Sequence, residues 1–348
     1  LRLLRSRRVG ISTFFRLMSE HGDADAALDA LPALARDAGL SDYAPYSPEA
    51  ALREFDAGHV AGGRLVAIGS DAYPPLLAEI PDPPPLLWVT GQRALPDRRV
   101  AVIGARNASS LGTRMARKLS DDLGRADFTV ISGLARGIDT AAHLAAIETG
   151  TIAVMAGGVD VVYPPENASL AQEIEEKGLR VSEMPPGTRP QARQFPRRNR
   201  LVSGMAEAVI VIEAAAKSGS LITARTALDQ GRDVMAVPGH PFDARATGAN
   251  MLLRDGATLV RSADDIIEAL SKPEQSVSKA QDQHLKPQPA IRNLHTKILD
   301  RLGPSPIPDD HLIRDLGAGA SAVAAALIDL ELDGKVIRER GGLISRHA

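Results

Sequence analysis

The sequence contains no cysteine among its 348 residues. This absence excludes disulfides, thiolate metal sites and cysteine nucleophiles, and it is typical of a cytoplasmic protein, so we expect the chain to reside in the cytoplasm. The eight histidines are scattered and form no pair four residues apart. Because a helical histidine metal site needs such a pair, we expect no bound metal.

Long apolar runs and a strong net charge are also missing. No uninterrupted apolar run approaches the roughly 18 to 20 residues of a membrane span, which predicts a soluble chain without a membrane partner. The formal net charge is −2, so the molecule as a whole does not attract polyanions, and any nucleic-acid site must be local. The length indicates about two or three domains.

Several enzyme fingerprints are absent as well. Dinucleotide binding needs GxGxxG after the first strand and an acid after the second, but here Gly104 is followed by alanine and arginine, and the second strand ends in Ser132 and Gly133. No GxxxxGK[ST] occurs, which excludes a P-loop ATPase. The SGS triplet at 218–220 is not the GxSxG of a serine hydrolase. We therefore predict no cofactor.

The chain does have an alternation of apolar strands with amphipathic helices between residues 58 and 271. The pattern predicts strands at 64–68, 86–89, 100–103, 128–131, 151–155, 179–182, 208–212, 234–237 and 257–260. Because helical patterns separate most of these strands, we predict an α/β domain with a parallel sheet covered on both faces. Ligands of such sheets gather at the carboxyl ends of the strands.

Other modules flank this domain. Residues 1–57 show helical patterns and predict a small helical domain, either a helix-hairpin-helix-like DNA-binding module or a cap packed on the next domain. Residues 272–290 are polar and rich in Lys, Gln and Pro, which predicts a flexible linker. Residues 291–348 show three helical patterns and a hairpin that turns at Gly341 and Gly342, as in a winged helix.

The turn after the strand at 100–103 is the first candidate site. It reads GARNASSLG, in which Ser109 or Ser110 can cap the helix that follows. The unpaired N–H groups in the first turn of that helix then offer a seat for an anion such as phosphate. The alternative is an ordinary turn of an α/β domain that binds nothing.

The second candidate site is the basic strip, residues 189–200. It contains five arginines and no acid, so we expect an anion-binding surface that converges on the glycine and serine turns of the sheet. Guanidinium groups bind phosphate through two parallel hydrogen bonds, and the ring of Phe195 offers a face for a base, which suits single-stranded nucleic acid. The alternative is that these arginines pair with carboxylates of another subunit.

Three carboxylates stand at predicted strand ends, namely Asp139, Glu183 and Glu213. A helical run follows Asp139, and aspartate is a favoured residue at a helix N-terminus. We therefore expect Asp139 to cap that helix rather than to perform chemistry.

A resemblance to the DNA-processing protein A family, also called Smf, is carried by six segments in order and spacing: GARNASSLG, SGLARGIDTAAH, TIAVMAGGVDVVYPPEN, SEMPPGTRP, FPRRNRLVSGMAEAVIVIEAAAKSGSLITARTALDQGRDVMAVPG and GANMLLRDGA. The match covers about residues 60–270. The flanking modules resemble the variable N-terminal helical domain and the optional C-terminal winged helix of that family.

The resemblance implies that residues 58–271 form an extended Rossmann-like domain that binds DNA. It implies a cytoplasmic bacterial protein that binds single-stranded DNA, protects it from nucleases and helps to load RecA recombinase during natural transformation. It further implies a homodimer, with contacts around residues 251–259, and no catalytic activity.

The resemblance also implies which residues contact DNA. Those residues are Gly104, Arg106, Ser109, Ser132, Gly133 and Arg136, with Phe195, Arg197, Arg198, Asn199 and Arg200 beside them and Ser218, Gly219 and Ser220 closing the pocket. Some relatives carry lysine where the basic strip has arginine, which preserves the charge but changes the geometry of phosphate contacts.

The third predicted helix of the winged-helix module lacks the charge of a DNA-recognition helix. Residues 321–333 have no lysine or arginine and carry Asp329, Glu331 and Asp333. The whole module, residues 291–348, holds eight basic and eight acidic side chains. Because acidic side chains repel phosphates, we predict that this module contacts protein, such as the partner subunit, rather than DNA.

Two other functions stay open at this stage. Nucleotide hydrolases of a Rossmann-like family cleave N-glycosidic bonds and carry a PGGxGTxxE signature whose glutamate is needed for the chemistry. The comparable segment here, KSGSLITA, has no glutamate three residues on. The other alternative is a scaffold whose arginines bind an acidic protein partner.

Overall fold

A computed structural model describes residues 1–271, 289–303, 307–316, 323, 326–327, 329–331, 335–339 and 343–346. The chain divides into two compact units, Leu1–Lys272 and Pro273–Ala348. In these described ranges, no helix is both long enough and apolar enough to cross a membrane.

The first unit begins with a helical domain. Its helices are α1 (Arg2–Arg5), α2 (Ile11–His21), α3 (Ala24–Asp37) and α4 (Pro48–Val60). The core of this domain is built from Leu3, Leu17, Leu28 and Leu31. An ion pair between Arg5 and Glu54, with atoms 2.8 Å apart, connects α1 to α4.

The central domain is built on one nine-stranded sheet. Its strands are β1 (Arg64–Ala67), β2 (Leu86–Thr90), β3 (Arg99–Ile103), β4 (Thr129–Ser132), β5 (Thr151–Val154), β6 (Leu179–Ser182), β7 (Ala208–Val211), β8 (Asp233–Ala236) and β9 (Thr258–Leu259). The strand order is β1-β2-β6-β5-β4-β3-β7-β8-β9. Every neighbouring pair from β6 across to β9 is parallel.

The two strands that precede the alternation of strands and helices, β1 and β2, are antiparallel in the sheet. These strands pair antiparallel to each other, and β2 pairs antiparallel to β6. The physical reason lies in their connection, which contains only the one-turn helix α5 (Pro75–Ala78). A parallel connection usually contains a full helix, which this connection lacks.

Seven further helices cover the sheet. They are α6 (Ser110–Arg125), α7 (Ile138–Ala146), α8 (Ala168–Lys177), α9 (Gln194–Gly204), α10 (Gly219–Asp229), α11 (Thr247–Arg254) and α12 (Ala263–Ser271). Two hydrophobic clusters lie on the two faces, because alternate residues of β3 such as Ala101 and Val102 belong to different clusters. A sheet buried on both faces is the arrangement that the apolar strands predict.

The strand order reverses at β3. From β3 the chain proceeds through β4 and β5 to β6 on one side, and then returns to β7 on the other side of β3. Ligands of open α/β sheets bind in the crevice at such a reversal, outside the carboxyl ends of the strands. We therefore expect a ligand site at the turns that follow β3, β4 and β7.

The second unit has the elements of a winged helix. Its described elements are α13 (Pro289–Arg301), α14 (Asp309–Leu316) and the strands β10 (Ile307–Pro308), β11 (Val336–Glu339) and β12 (Leu343–Arg346), which form a sheet in the order β10-β12-β11. Within the third predicted helix, the described residues between 323 and 331 are helical. Most of the predicted linker, 272–288, and the predicted turn at Gly341 and Gly342 lie outside the described residues.

Candidate nucleic-acid interface

A cleft of about 700 Å³ opens at the carboxyl ends of β3, β4 and β7, where the strand order reverses. The predicted site residues that line it are Gly104, Arg106, Gly133, Phe195, Arg198, Asn199, Ser218, Gly219 and Ser220. A smaller pocket of about 330 Å³ adjoins it, and the predicted residue Arg136 lines that pocket. Ser109, Ser132, Arg197 and Arg200 line neither space.

The turns after β3 and β7 meet directly in the cleft. The hydroxyl of Ser220 donates a hydrogen bond of 2.8 Å to the carbonyl oxygen of Gly104. Ser218 forms the N-cap of α10, and its hydroxyl accepts a hydrogen bond from the Ser220 N–H. Residues separated by more than a hundred positions thus form one wall of the cleft.

At the start of α6, where the sequence predicts an anion-binding site, the carboxylate of Glu213 contacts the N-cap residue. Ser109 caps α6 as predicted, because its hydroxyl accepts a hydrogen bond of 2.9 Å from the Gly112 N–H. However, the Ser109 N–H donates to Glu213 at 2.9 Å, and the Ser109 hydroxyl donates to the same carboxylate. A β-carbon on Gly112 would lie 2.3 Å from Cδ of Glu213. Both the N–H and the hydroxyl of Ser109, for which the resemblance implies a phosphate contact, are thus engaged with a carboxylate of the same chain.

The turn after β4 is also satisfied internally. The carboxylate of Asp139 accepts hydrogen bonds from the N–H groups of Gly133 (3.1 Å) and Ala135 (3.3 Å). Asp139 therefore stabilises the turn that precedes α7. The N-cap of α7 is Gly137. The prediction that Asp139 caps the helix is wrong. Burial raises the pKa of the Asp139 carboxyl, whereas the nearby Arg198 guanidinium and the two N–H donors act in the opposite direction.

The hydroxyl of Ser132 does not reach the cleft. Ser132 is fully buried in β4, and its hydroxyl donates a hydrogen bond of 2.7 Å to the carbonyl oxygen of Val102. The side chain therefore connects two neighbouring strands beneath the site. The phosphate contact that the resemblance implies for Ser132 is corrected to this structural contact.

Arg198 forms the floor of the cleft. Its guanidinium donates hydrogen bonds to the carbonyl oxygens of Gly133 and Val154, and only 6% of the residue is exposed. A β-carbon on Gly133 would lie 1.9 Å from Nη1 of Arg198, so only glycine leaves room for this guanidinium. Burial lowers the pKa of Arg198, and Asp139 opposes that effect. Nε of Arg198 is buried and has no hydrogen-bond partner among the described residues.

Two arginines of the basic strip turn away from the cleft. Arg200 is buried and pairs with the carboxylates of Glu183 and Asp82, the latter at 3.2 Å. Arg197 remains exposed, with Nε 3.8 Å from the Glu183 carboxylate. The absence of acids within the strip was a misleading signal, because the acids that balance it come from other segments of the same chain. The residues of the strip that line the cleft are Phe195, Pro196, Arg198 and Asn199.

The rim of the cleft is basic and aromatic. Arg106 is exposed, and its guanidinium carbon lies 5.4 Å from the ring centroid of Phe195, a cation–π arrangement. Phe195 also contacts the ring of Tyr163, with centroids 5.6 Å apart. Arg136, which was expected to contact phosphate, forms an ion pair with Glu166.

The residues of these two spaces that sequence reasoning missed include Asn107, Lys217, Arg245 and Tyr163. Lys217 stands directly before the SGS triplet, so its position was a usable signal. Arg245 lies in the loop between β8 and α11 and pairs with Asp243 at 3.0 Å, and no local signal connects it with the cleft. Within the described ranges, no group of three or more His, Asp or Glu side chains could hold a metal ion.

A Rossmann-like sheet with a basic cleft at its reversal point defines a class of α/β proteins that bind anionic ligands at the carboxyl ends of strands. Comparison with known families narrows this class. The chain belongs to the DNA recombination-mediator protein A family, whose model matches residues 64–271. A model of the DprA-like N-terminal HHH domain matches residues 1–57, and a model of the DprA winged helix domain matches residues 283–342.

Individual relatives agree with this assignment. The chain is 40% identical over 255 residues to DNA processing protein DprA of Bacillus subtilis (strain 168), covering 72% of this chain and 83% of that protein. The X-ray structure of DNA processing protein A from Streptococcus pneumoniae matches with a TM-score of 0.58 and 33% identity over 75% of this chain and 98% of that one. A structure described as revealing the single-stranded DNA binding mode of DNA processing protein A from Helicobacter pylori matches with a TM-score of 0.55 and 28% identity, over 60% and 97%.

Proposed function

We propose that this chain binds single-stranded DNA in the cleft, without sequence readout. The observation that carries the proposal is a local concentration of exposed and buried cations, Arg106, Lys217 and Arg198, around glycine and serine turns in a molecule whose net charge is −2. The relative from Helicobacter pylori, described by its single-stranded DNA binding mode, supports the same ligand. Phosphate contacts provide affinity that does not depend on the base sequence.

The phosphate seat in this proposal is the first turn of α10. At α6, the carboxylate of Glu213 accepts hydrogen bonds from the N–H and the hydroxyl of the N-cap residue Ser109, and before α7 the carboxylate of Asp139 accepts one from the N–H of Gly133. By contrast, Gly219 and Ser220 begin α10 on the wall of the cleft, with the exposed Lys217 beside them. An anion here gains the positive end of the helix dipole and a lysine charge.

The remaining predicted contacts take roles that follow from their exposure. Arg106 reaches the strand from the rim of the cleft, and Arg198 supplies positive charge from the floor. The ring of Phe195 provides a stacking surface, and Asn199 offers an amide next to it. Arg197 is exposed beside Glu183 and contributes a more distant charge.

In the cell, the proposed role is that of a cytoplasmic recombination mediator. It holds an incoming strand, protects it from nucleases and assists RecA recombinase to load during natural transformation. This role needs no chemistry at the DNA. The carboxylate that lines the cleft, Asp139, is engaged with two backbone N–H groups and the Arg198 charge. Incubation with nucleoside monophosphates should accordingly release no base.

The proposed assembly is a homodimer formed around residues 251–259. This region lies at the edge of the sheet, because β9 pairs only with β8 along the described residues. Leu259 of β9 is 46% exposed, although it is a large apolar side chain. Leu259→Glu should shift the chain toward monomer in sedimentation velocity. If Leu259→Glu leaves the dimer unchanged, the interface lies elsewhere. If the parent is itself a monomer, the proposed homodimer is wrong.

The binding proposal is tested with a fluorescent oligothymidylate. Anisotropy titrations at two salt concentrations, with and without duplex competitor, should show tight, salt-sensitive binding that duplex DNA does not displace. Arg106→Ala should weaken binding to different sequences alike. If an acidic protein partner is the true ligand, the oligonucleotide will bind weakly and the polyanionic protein will displace it.

A further inference from the structure

The β8–α11 loop, residues 237–246, is the next turn along the carboxyl edge of the sheet. In the strand order, β8 stands beside β7, whose turn carries Lys217 and the start of α10. The two turns are joined directly, because the N–H of Gly248 at the start of α11 donates a hydrogen bond of 2.7 Å to the carbonyl oxygen of Ala214. Arg245 of the loop lines the cleft. The carboxyl edge therefore extends from the cleft into the β8–α11 loop.

Hydrogen bonds hold this loop in place. The side-chain amide of Asn250 accepts a hydrogen bond of 3.1 Å from the N–H of Gly239 and donates one of 2.9 Å to the carbonyl oxygen of the same residue. The carboxylate of Asp243 accepts two hydrogen bonds of 3.0 Å from the guanidinium of Arg245 and one of 2.9 Å from its N–H. Because the loop is ordered by its own contacts, a ligand that binds to it pays little conformational entropy.

The loop presents an aromatic pair to solvent. The N–H of Asp243 donates a hydrogen bond of 2.9 Å to the carbonyl oxygen of His240, which closes a turn with Phe242 in it. Phe242 is 95% exposed and is the most exposed large apolar side chain among the described residues. The imidazole of His240 lies beside it, with ring centroids 5.5 Å apart and 35° between the ring planes. An aromatic face in water gains free energy when a flat apolar group covers it.

The charges around the aromatic pair favour a base over a phosphate. The Arg245 guanidinium is paired through two hydrogen bonds with the Asp243 carboxylate, directly after Phe242 in the chain. This acid repels a phosphate, whereas it does not hinder an uncharged ring that lies on Phe242. The exposed Lys217 lines the cleft instead. Phosphate contacts therefore belong to the cleft, and the loop offers a surface for stacking.

We propose that the β8–α11 loop is a second contact for the bound strand, in which the ring of Phe242 stacks on a base of a nucleotide that has left the cleft. The inference rests on the proposed binding of single-stranded DNA and extends the path of the strand from the turn after β7 to the turn after β8. Stacking accepts every base because each has a π face, so the loop raises affinity without sequence readout. A strand that fills only the cleft does not gain this contribution.

The test uses two fluorescent oligothymidylates, of about 4 and about 16 nucleotides, which are the two ends of the range of site sizes on a single-strand-binding domain. The proteins are the full-length parent, Phe242→Ala, Phe242→Leu and Phe242→Tyr. Val60→Ala is the matched control, because Val60 is an apolar side chain of α4 that is 90% exposed. Thermal melting followed by circular dichroism checks folding, and sedimentation velocity reports the oligomeric state.

We expect Phe242→Ala to weaken binding of the longer oligomer by about 5-fold or more, which corresponds to the lower limit of about 1 kcal/mol for stacking of one base. Its binding of the shorter oligomer should stay within about twofold of the parent. Phe242→Tyr keeps the ring and should bind like the parent, whereas Phe242→Leu has no π face and should bind like Phe242→Ala. Val60→Ala should change neither affinity.

Three results overturn the assignment of Phe242 as a stacking residue. They are an equal loss on both oligomers, no loss on the longer one, and parent-like binding by Phe242→Leu. If Phe242→Ala dissociates a parent dimer and leaves both affinities unchanged, Phe242 belongs to the subunit interface and the assignment is equally wrong. A parent that binds neither oligomer instead contradicts the proposed function itself.

Discussion

The carboxylate of Glu213, at the end of β7, accepts hydrogen bonds from both the N–H and the hydroxyl of Ser109, which caps α6. One acidic side chain thereby holds the N-cap residue of the helix that follows β3. This contact predicts that Glu213 acts on stability rather than on DNA affinity.

Replacement of Glu213 by alanine tests that separation. Glu213→Ala should lower the free energy of unfolding by about 1 to 2 kcal/mol, because it leaves the N–H and the hydroxyl of the N-cap residue Ser109 without their acceptor. Urea denaturation measures the change, and an exposed acid, Glu148→Ala, serves as the control. Oligonucleotide affinity should not fall, since one negative charge near the cleft is removed. A loss of affinity with unchanged stability would instead make Glu213 part of the ligand site.

Within the basic strip, substitution of Arg200 should lower stability, whereas substitution of Arg197 should lower DNA affinity. The side chains of Arg200 and its partner Glu183 are only 9% and 10% exposed. Arg200→Ala leaves the buried Glu183 carboxylate with only the 3.8 Å contact to Arg197 and should cost about 3 kcal/mol of stability. Arg197→Ala, at a position 58% exposed, should melt like the parent and bind DNA more weakly. If Arg200→Ala instead melts like the parent and weakens DNA binding in anisotropy, Arg200 belongs to the binding surface.

The buried His143 predicts a dependence of stability on pH. Thr151 donates its hydroxyl proton to the carbonyl oxygen of Val130, so Nδ1 of His143 donates to that hydroxyl at 2.8 Å. Burial, assisted by the Arg198 charge, lowers the pKa of His143 from 6.5 to about 3. The folded state therefore keeps the imidazole neutral where the unfolded chain already binds a proton.

From this difference we expect His143 to reduce the free energy of unfolding by about 1.4 kcal/mol for each pH unit below its unfolded pKa. The loss begins as the pH falls below 6.5 and ends near pH 3. His143→Gln should flatten the curve of urea stability against pH in this window, whereas the exposed control His59→Gln should not. Identical curves for parent and His143→Gln would show that the imidazole is protonated inside the fold.

The winged-helix unit should be dispensable for DNA affinity. Its described acids include Asp329, which lies 3.6 Å from His295, and Asp315, which lies 3.7 Å from Arg301. Because the unit holds as many acids as bases, deletion of residues 291–348 should leave oligonucleotide affinity within about twofold of the full chain. A large loss of affinity in a truncated chain that still melts cooperatively would assign this unit a direct DNA contact.

Much of the fold follows from local sequence patterns. The β-branched runs predict the strands of the parallel part of the sheet, and the alternation with helices predicts its two covered faces. The helix α4 was not predicted, although Ser47 and Pro48 form a usual start signal. The apolar residues of α4 do not all lie on its buried face, since Leu52 and Phe55 are exposed. The sequence therefore shows no clear amphipathic pattern here.

Sequence patterns predict the lining of the cleft only for residues that lie in a short motif at the end of a strand. Gly104 and the SGS triplet line the cleft as their place at strand ends indicates, and Arg106 lines it as the family resemblance implies. The acids that compensate other members come from distant segments, since Glu213 is 104 residues from Ser109 and Asp82 is 118 residues from Arg200. No spacing rule reports such pairs, because only the folded sheet brings them together.

The salt dependence of oligonucleotide binding tests the central claim most directly. Log affinity should fall linearly with log salt, and Arg106→Ala should reduce the slope by about 0.7, the value for one phosphate contact on a single strand. The control Arg114→Ala changes an exposed arginine of α6 outside the cleft lining and should keep the parent slope. Equal slopes for the parent and Arg106→Ala would contradict the claim that the cleft at the end of β3 holds the DNA backbone.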